Sequence, residues 1–187
     1  KQCHISKAIF FDLDDNSNKY TSLPHMLVEK NDWEKIVGKM GIKKNDKIVI
    51  YDNSDVISSC RCWFNFIYFG HDPKLIHVLN GGLNKWIKEK REVTKDLPII
   101  KQSHYECFEI KELVKNKTFI DENINDQKFK VIDARSKERF EGKIPEPREN
   151  LRSGNIKKSF CIPFNLCLNE DKTFKNKEDL KNVFKTC

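Results

Sequence analysis

The chain has 187 residues, 38% of them hydrophobic and 11% aromatic, enough to bury one sizeable core or two small ones and too many for a disordered chain. Its net charge of +7 is mostly lysine mixed with acidic residues, the pattern of a solvated surface, with no Arg-rich, aromatic-interleaved face for a nucleic acid. No apolar run reaches the roughly 20 residues of a bilayer span, the N-terminus lacks a signal-peptide core, and seven cysteines without framework spacing predict reduced thiols in a cytosol-like compartment.

In chain order, residues 4–13 run from a polar residue and an Ile through a small residue into a short apolar strand. Asp32 caps or leads a helix to Met40, with Trp33, Ile36, Val37 and Met40 at helical spacing. Residues 47–51 read as a strand, Asp52-Asn-Ser-Asp55 as a polar turn, and residues 58–69 as a helix. A second strand at 75–79 closes in the turn Asn80-Gly81-Gly82, and a helix follows over 83–90. Strands alternating with helices predict a parallel sheet with βαβ crossovers. Residues 93–108 carry Pro98 and no strong periodicity, so a linker is predicted. A strand at 129–133 runs into Ala134-Arg135, and residues 177–187 have helical spacing.

The chain also lines up with itself. The stretch His4-Ile-Ser-Lys-Ala-Ile-Phe-Phe-Asp-Leu13 matches Asn155-Ile-Lys-Lys-Ser-Phe-Cys-Ile-Pro-Phe164 at an offset of 151. The helix led by Asp32 matches the one led by Asp179 at an offset of 147, a second-copy loop four residues shorter. The copies are complementary in what they lack. The strand at 129–133 starts 26 residues before Asn155, whereas three residues precede His4. The first copy is therefore expected to miss its first strand, and the second to stop before the counterpart of strand 47–51. Residues 1–92 form the first domain on this reading, 93–108 the linker, and 109–187 the N-terminal part of the second domain.

Several stretches now carry a resemblance: Ala8-Ile-Phe-Phe-Asp-Leu-Asp14, Pro24-His25-Met26-Leu27, Phe69-Gly70-His71 and Val78-Leu-Asn-Gly-Gly-Leu-Asn-Lys-Trp86 in the first copy. In the second they are Val131-Ile-Asp-Ala-Arg135, Arg139-Phe-Glu-Gly142, Pro145-Glu-Pro-Arg148, Ser153-Gly154 and Ile162-Pro163-Phe164. In this order they resemble the tandem-rhodanese family, the thiosulfate and 3-mercaptopyruvate sulfurtransferases. The resemblance implies an α/β fold of two rhodanese-like domains, each a parallel sheet flanked by helices and both incomplete here. One departure stands out. Where the family carries His-Ile-Pro-Gly-Ala, this chain has His4-Ile5-Ser6-Lys7-Ala8 and Asn155-Ile156-Lys157-Lys158-Ser159, so a Lys falls where φ > 0 is preferred.

The family chemistry is sulfur transfer through a cysteine persulfide. Its thiolate needs converging backbone N–H groups at a helix N-terminus. In the first copy that turn begins at Asp52, which cannot accept sulfur; in the second, the equivalent position falls about twelve residues past Cys187. Cys187 itself, with residues 183–186 as a strand, is the competing nucleophile. Cys3, Cys60, Cys62, Cys107, Cys161 and Cys167 read as packing or surface thiols, and Cys60-x-Cys62 is too tight for a zinc knuckle. The resemblance assigns Arg139 and Arg148 to the donor's carboxylate and keto group, a role suited to a guanidinium fork. It assigns Asp14 and His25 to a proton relay with a Ser of the catalytic loop. Arg135 is expected to pair with Asp133. Arg148, where thiosulfate enzymes carry an acidic residue, favours 3-mercaptopyruvate as donor. Thiosulfate as donor and a non-catalytic rhodanese-like binding module are the alternatives. Expected partners are the small sulfur donor and a thiol acceptor such as thioredoxin or a small thiol. No cofactor, metal, nucleic acid or membrane is implied, and the expected compartment is the cytoplasm or, in a eukaryote, the mitochondrion.

Overall fold

The computed structural model describes residues 3–148 and 151–187. They divide into two compact units, Lys1–Leu113 and Val114–Cys187. In the first unit, α1 (Lys30–Lys39) is followed by β1 (Ile48–Ile50), α2 (Ser59–Tyr68), β2 (Ile76–Val78) and α3 (Gly82–Lys88). Strands β1 and β2 pair in parallel, Ile48 opposite Ile76 and Ile50 opposite Val78, with α2 between them in sequence. This is the βαβ unit that the alternation of strands and helices predicts.

The core forms where the apolar stripes of α1 and α2 meet. Trp33 and Val37, one helical turn apart, are fully buried, and Trp33 stacks on Phe69 at 4.7 Å while meeting Phe66 edge-on at 5.1 Å. Such aromatic pairs are each worth about 0.5–1.5 kcal/mol beyond the area they bury. Gly38 lies on the same face because a Cβ there would stand 2.8 Å from the Ser103 carbonyl oxygen. Helix α1 begins at Lys30, so Asp32 sits in its first turn, where a negative charge suits the helix dipole, rather than at the cap.

Residues 93–108, expected as a linker, instead strap the first unit. The Ser103 N–H donates to the Gly38 carbonyl (2.9 Å), its hydroxyl donates to the Ile42 carbonyl (2.6 Å), and Tyr105 and Cys107 are buried. Buried His71 ties the strap down: its Nδ1 meets the Tyr105 hydroxyl at 2.9 Å and its Nε2 meets the Asp46 carbonyl at 3.0 Å. A carbonyl only accepts, so Nε2 carries the proton and the Tyr105 hydroxyl donates to Nδ1. Burial holds the pKa of this imidazole below its ordinary value.

The second unit contains α4 (Lys117–Asn123), β3 (Ile132–Asp133), α5 (Lys137–Phe140), β4 (Phe160–Cys161) and α6 (Lys177–Val183), which continues into a 3-10 turn over Phe184–Thr186. β3 pairs with β4 in parallel, Ile132 opposite Phe160. Asn116 and Asn176 cap α4 and α6 with their side-chain oxygens. Buried apolar side chains are few here, Ile162 and Leu168 among the described residues.

Two local expectations change. Residues 8–12 form no strand, because no described strand lies beside them; their second-copy counterpart has β3 as partner. Residues 183–186 are helical rather than a strand. The turns that lost their Pro-Gly nevertheless share one geometry. Lys7 has φ +62° and Lys158 φ +64°, and Ala8 N–H to Ile5 O and Ser159 N–H to Ile156 O are both 3.0 Å.

Candidate active site

Asp14 and His25 lie on a loop built from short polar turns. The Asp12 carboxylate accepts from the Asp14 and Asp15 N–H groups at 2.9 and 3.1 Å, and the loop closes where Asn18 N–H donates to the Met26 carbonyl at 2.9 Å. Ser17 Oγ and Lys19 Nζ both donate to the Asp14 carbonyl, at 2.8 and 2.6 Å. His25 adopts φ +56°, a left-handed conformation that His visits more readily than most residues. With Asp14 pinned at its carbonyl and His25 turned this way, His25 Nε2 stands 2.6 Å from Asp14 Oδ1. The pair faces solvent, His25 partly and Asp14 largely exposed. From α2, the Arg61 guanidinium donates to the His25 carbonyl, a contact that nothing in the sequence pattern singles out.

The second cluster starts at the end of β3. Arg135 folds back so that Nε and Nη2 grip both oxygens of Asp133 (3.0 and 2.6 Å), while Nη2 also reaches the Gly154 carbonyl at 2.7 Å. Its Nη1 meets Glu146 Oε1 at 2.6 Å. Ser136 caps α5 and places Arg139 one turn into it, so that Nη2 of Arg139 donates to Glu146 Oε2 and Nε to Oε1. Glu146 is thus shared between two guanidinium groups, and its side chain is only 4% exposed. Hydrogen bonds from Arg139 hold its carboxyl below the usual carboxylate range, and the Arg135 fork does the same for Asp133.

Arg148, two residues beyond Glu146, is exposed and makes no hydrogen bond or ion pair with another described residue. Among the described residues, Arg139 is therefore tied into a network and Arg148 is not. Arg135 pairs with Asp133 as expected. Glu146, the hub of the network, has no role on the sequence reading; its place between Pro145 and Pro147, seven residues after Arg139, is the one signal that points to it.

At the first-copy loop, the Asp52 carboxylate accepts from Ser59 N–H at 2.6 Å and Ser58 Oγ at 3.2 Å, so it fills the anion position at the N-terminus of α2. All seven cysteines are free. Burial pushes the Cys62 and Cys107 thiols up to about 12, and it also raises those of Cys60, Cys161 and Cys167. Cys187 follows the last helical turn with its Sγ 3.2 Å from the Phe184 carbonyl. That is a helix C-terminus, where the dipole disfavours a thiolate.

The family model described as "Rhodanese-like domain" matches residues 1–89. The chain is 36% identical over 202 aligned positions to thiosulfate/3-mercaptopyruvate sulfurtransferase 1, mitochondrial, of Arabidopsis thaliana, covering 97% of this chain and 53% of that one. It is 32% identical to the 3-mercaptopyruvate sulfurtransferase of Mus musculus, covering 97% of this chain and 61% of that relative. The chain thus spans little more than half of the length of the relatives it matches. Among solved structures it superposes on the Tum1 protein from Saccharomyces cerevisiae with a TM-score of 0.87 at 27% identity, over 99% of this chain and 65% of that one. A parallel βαβ unit and this likeness along nearly the whole chain agree: residues 1–89 carry a rhodanese-like domain, and the chain is similar to sulfurtransferases of the rhodanese kind.

Proposed function

We propose that this chain is the donor-binding portion of a sulfurtransferase that takes sulfur from 3-mercaptopyruvate and delivers it to a thiol. A cysteine thiolate attacks the donor's sulfur, the carbon–sulfur bond breaks, and the leaving pyruvate enolate takes up a proton. The enzyme keeps the persulfide until an acceptor thiolate, of thioredoxin or a small thiol, attacks the outer sulfur and frees the cysteine. Atoms and electrons balance without a cofactor.

The observation that carries this reading is the Arg148 guanidinium, unpaired among the described residues and two positions past the Glu146 that locks Arg139. Glu146 takes Nε and Nη2 of Arg139 and orients its remaining nitrogen, while Pro145 and Pro147 stiffen the segment that presents Arg148. Two such groups fit the carboxylate and keto oxygens of a 2-oxo acid. The Asp14–His25 pair, with Nε2 2.6 Å from Oδ1, has the composition of a proton relay. We place the nucleophile on the second-copy counterpart of the Asp52 loop, past Cys187, because no described cysteine sits at a strand-to-helix anion cradle. The matching turns at Lys7 and Lys158 support reading the chain as two copies of one fold, the first non-catalytic. Seven unpaired cysteines suit a reducing compartment, cytoplasmic or mitochondrial.

In the protein carrying the catalytic loop, Arg148→Ala is expected to raise KM for 3-mercaptopyruvate far more than for thiosulfate, which has neither carboxylate nor keto group. Equal effects on both donors would refute the assignment. Full retention of both activities would leave Arg148 outside the site.

A further inference from the structure

Arg61 sits in the first turn and a half of α2, immediately past the loop on which Asp52 replaces a nucleophile. Its guanidinium lies about 6.0 Å from the Phe64 ring and donates to the His25 carbonyl, 36 residues earlier in the chain. That carbonyl belongs to the residue with φ +56°, whose imidazole meets Asp14. The orientation of the His25 side chain follows from the orientation of its peptide group, because a left-handed residue relaxing to negative φ swings its Cβ away. The His25 loop is closed by its own polar turns and anchored on either side by Phe11, Leu27 and Val28 against the core, which leaves the His25 peptide itself to the Arg61 contact. Helix α2, by contrast, is anchored in the core by Cys62 and Phe66 and by Phe69 at its C-terminal end, and the Asp52 carboxylate accepts from its first N–H.

We propose that Arg61 is a positioning residue that holds the His25 peptide in its left-handed conformation and so keeps the imidazole on Asp14. The loop that cannot form a persulfide then still contributes to the Asp14–His25 pair, because it fixes the start of α2, which delivers the guanidinium. The functional weight of this contact rests on the relay reading of His25 and Asp14, but the contact itself is testable without turnover.

The probe is diethyl pyrocarbonate, which carbethoxylates an unhindered, neutral imidazole, with the extent at each His read by peptide mass spectrometry. In the parent chain, His25 is shielded at Nε2 by Asp14, and fully buried His71 serves as an internal reference for the integrity of the same unit. Arg61→Met, which keeps an aliphatic stem on Phe64, is expected to speed modification of His25 about five-fold, the loss of one net hydrogen bond, with His71 unchanged. Asp14→Asn is expected to speed His25 similarly, and the double variant to add little more, because both changes break the same arrangement. Arg61→Lys, which keeps a cationic donor, is expected to fall between parent and Arg61→Met. Unchanged His25 reactivity in both Arg61 variants, or His71 rising in step with His25 in both, overturns the proposal. The relay reading fails separately: a His25→Asn enzyme with an unaltered pH–rate profile removes it and leaves the positioning contact standing.

Discussion

Lys7 occupies a left-handed conformation at φ +62° with its side chain exposed, so replacing it tests the backbone almost in isolation. A residue with a Cβ is penalised there by about 1–2 kcal/mol relative to glycine. Glycine returns part of that gain, because its unfolded chain has more freedom, by about 0.5–1 kcal/mol. The difference predicts that Lys7→Gly stabilises the first unit by about 0.5–1 kcal/mol. For a unit of this size that is a rise in Tm of about 2–5 °C. The assay is favourable, since Trp33, Trp63 and Trp86 all lie in the first unit and tryptophan fluorescence reports its unfolding alone. Lys158→Gly should gain less, because Lys158 Nζ also donates to Asn125 Oδ1 at 2.7 Å and that exposed bond is lost. Its effect is read by far-UV circular dichroism, as the second unit contains no Trp or Tyr. A Lys7→Gly protein that melts at or below the parent's temperature refutes the reasoning: the turn would then hold Lys7 through contacts that outweigh its strain.

Tyr105→Phe removes the hydroxyl that donates to His71 Nδ1 and leaves a buried acceptor without a partner, so fluorescence-detected unfolding should show a loss of about 1–3 kcal/mol. An unchanged midpoint would mean that the strap does not depend on this bond. The second unit should be acid-sensitive. Asp133 and Glu146 have depressed pKa values in the folded state, so the stability they contribute is complete above the ordinary carboxylate range and disappears as pH falls through the depressed values. Arg135→Met weakens that depression, and loss of structure should begin at a higher pH than in the parent when followed by circular dichroism. Identical acid profiles would count against the network.

Much of the fold is legible in the sequence because its signals are local. The helical spacing of Trp33 and Val37, the apolar run at 48–50 and the alternation Ile76-His77-Val78 each mark an element locally. The strap escapes such a reading because its signal has the other period. Ser103, Tyr105 and Cys107 face inward while His104, Glu106 and Phe108 face out, an alternation with no ladder partner to make it a strand. The Asp14–His25 contact is not legible in an eleven-residue spacing, because it depends on one left-handed residue and on a carbonyl held from a helix 36 residues away. Glu146 is hidden for a related reason. A carboxylate becomes a hub only where the chain brings Arg135 and Arg139 to its two oxygens.

The central claim, that this chain grips the donor while another loop carries the sulfur, is tested most directly by mapping the persulfide. The protein carrying the catalytic loop is exposed to 3-mercaptopyruvate without acceptor, alkylated and digested, and each cysteine is weighed for one added sulfur atom. The account predicts the added sulfur on a cysteine of the loop matching Asp52 in the second copy, and none on Cys3, Cys60, Cys62, Cys107, Cys161, Cys167 or Cys187. A stoichiometric persulfide on any of these seven would contradict it.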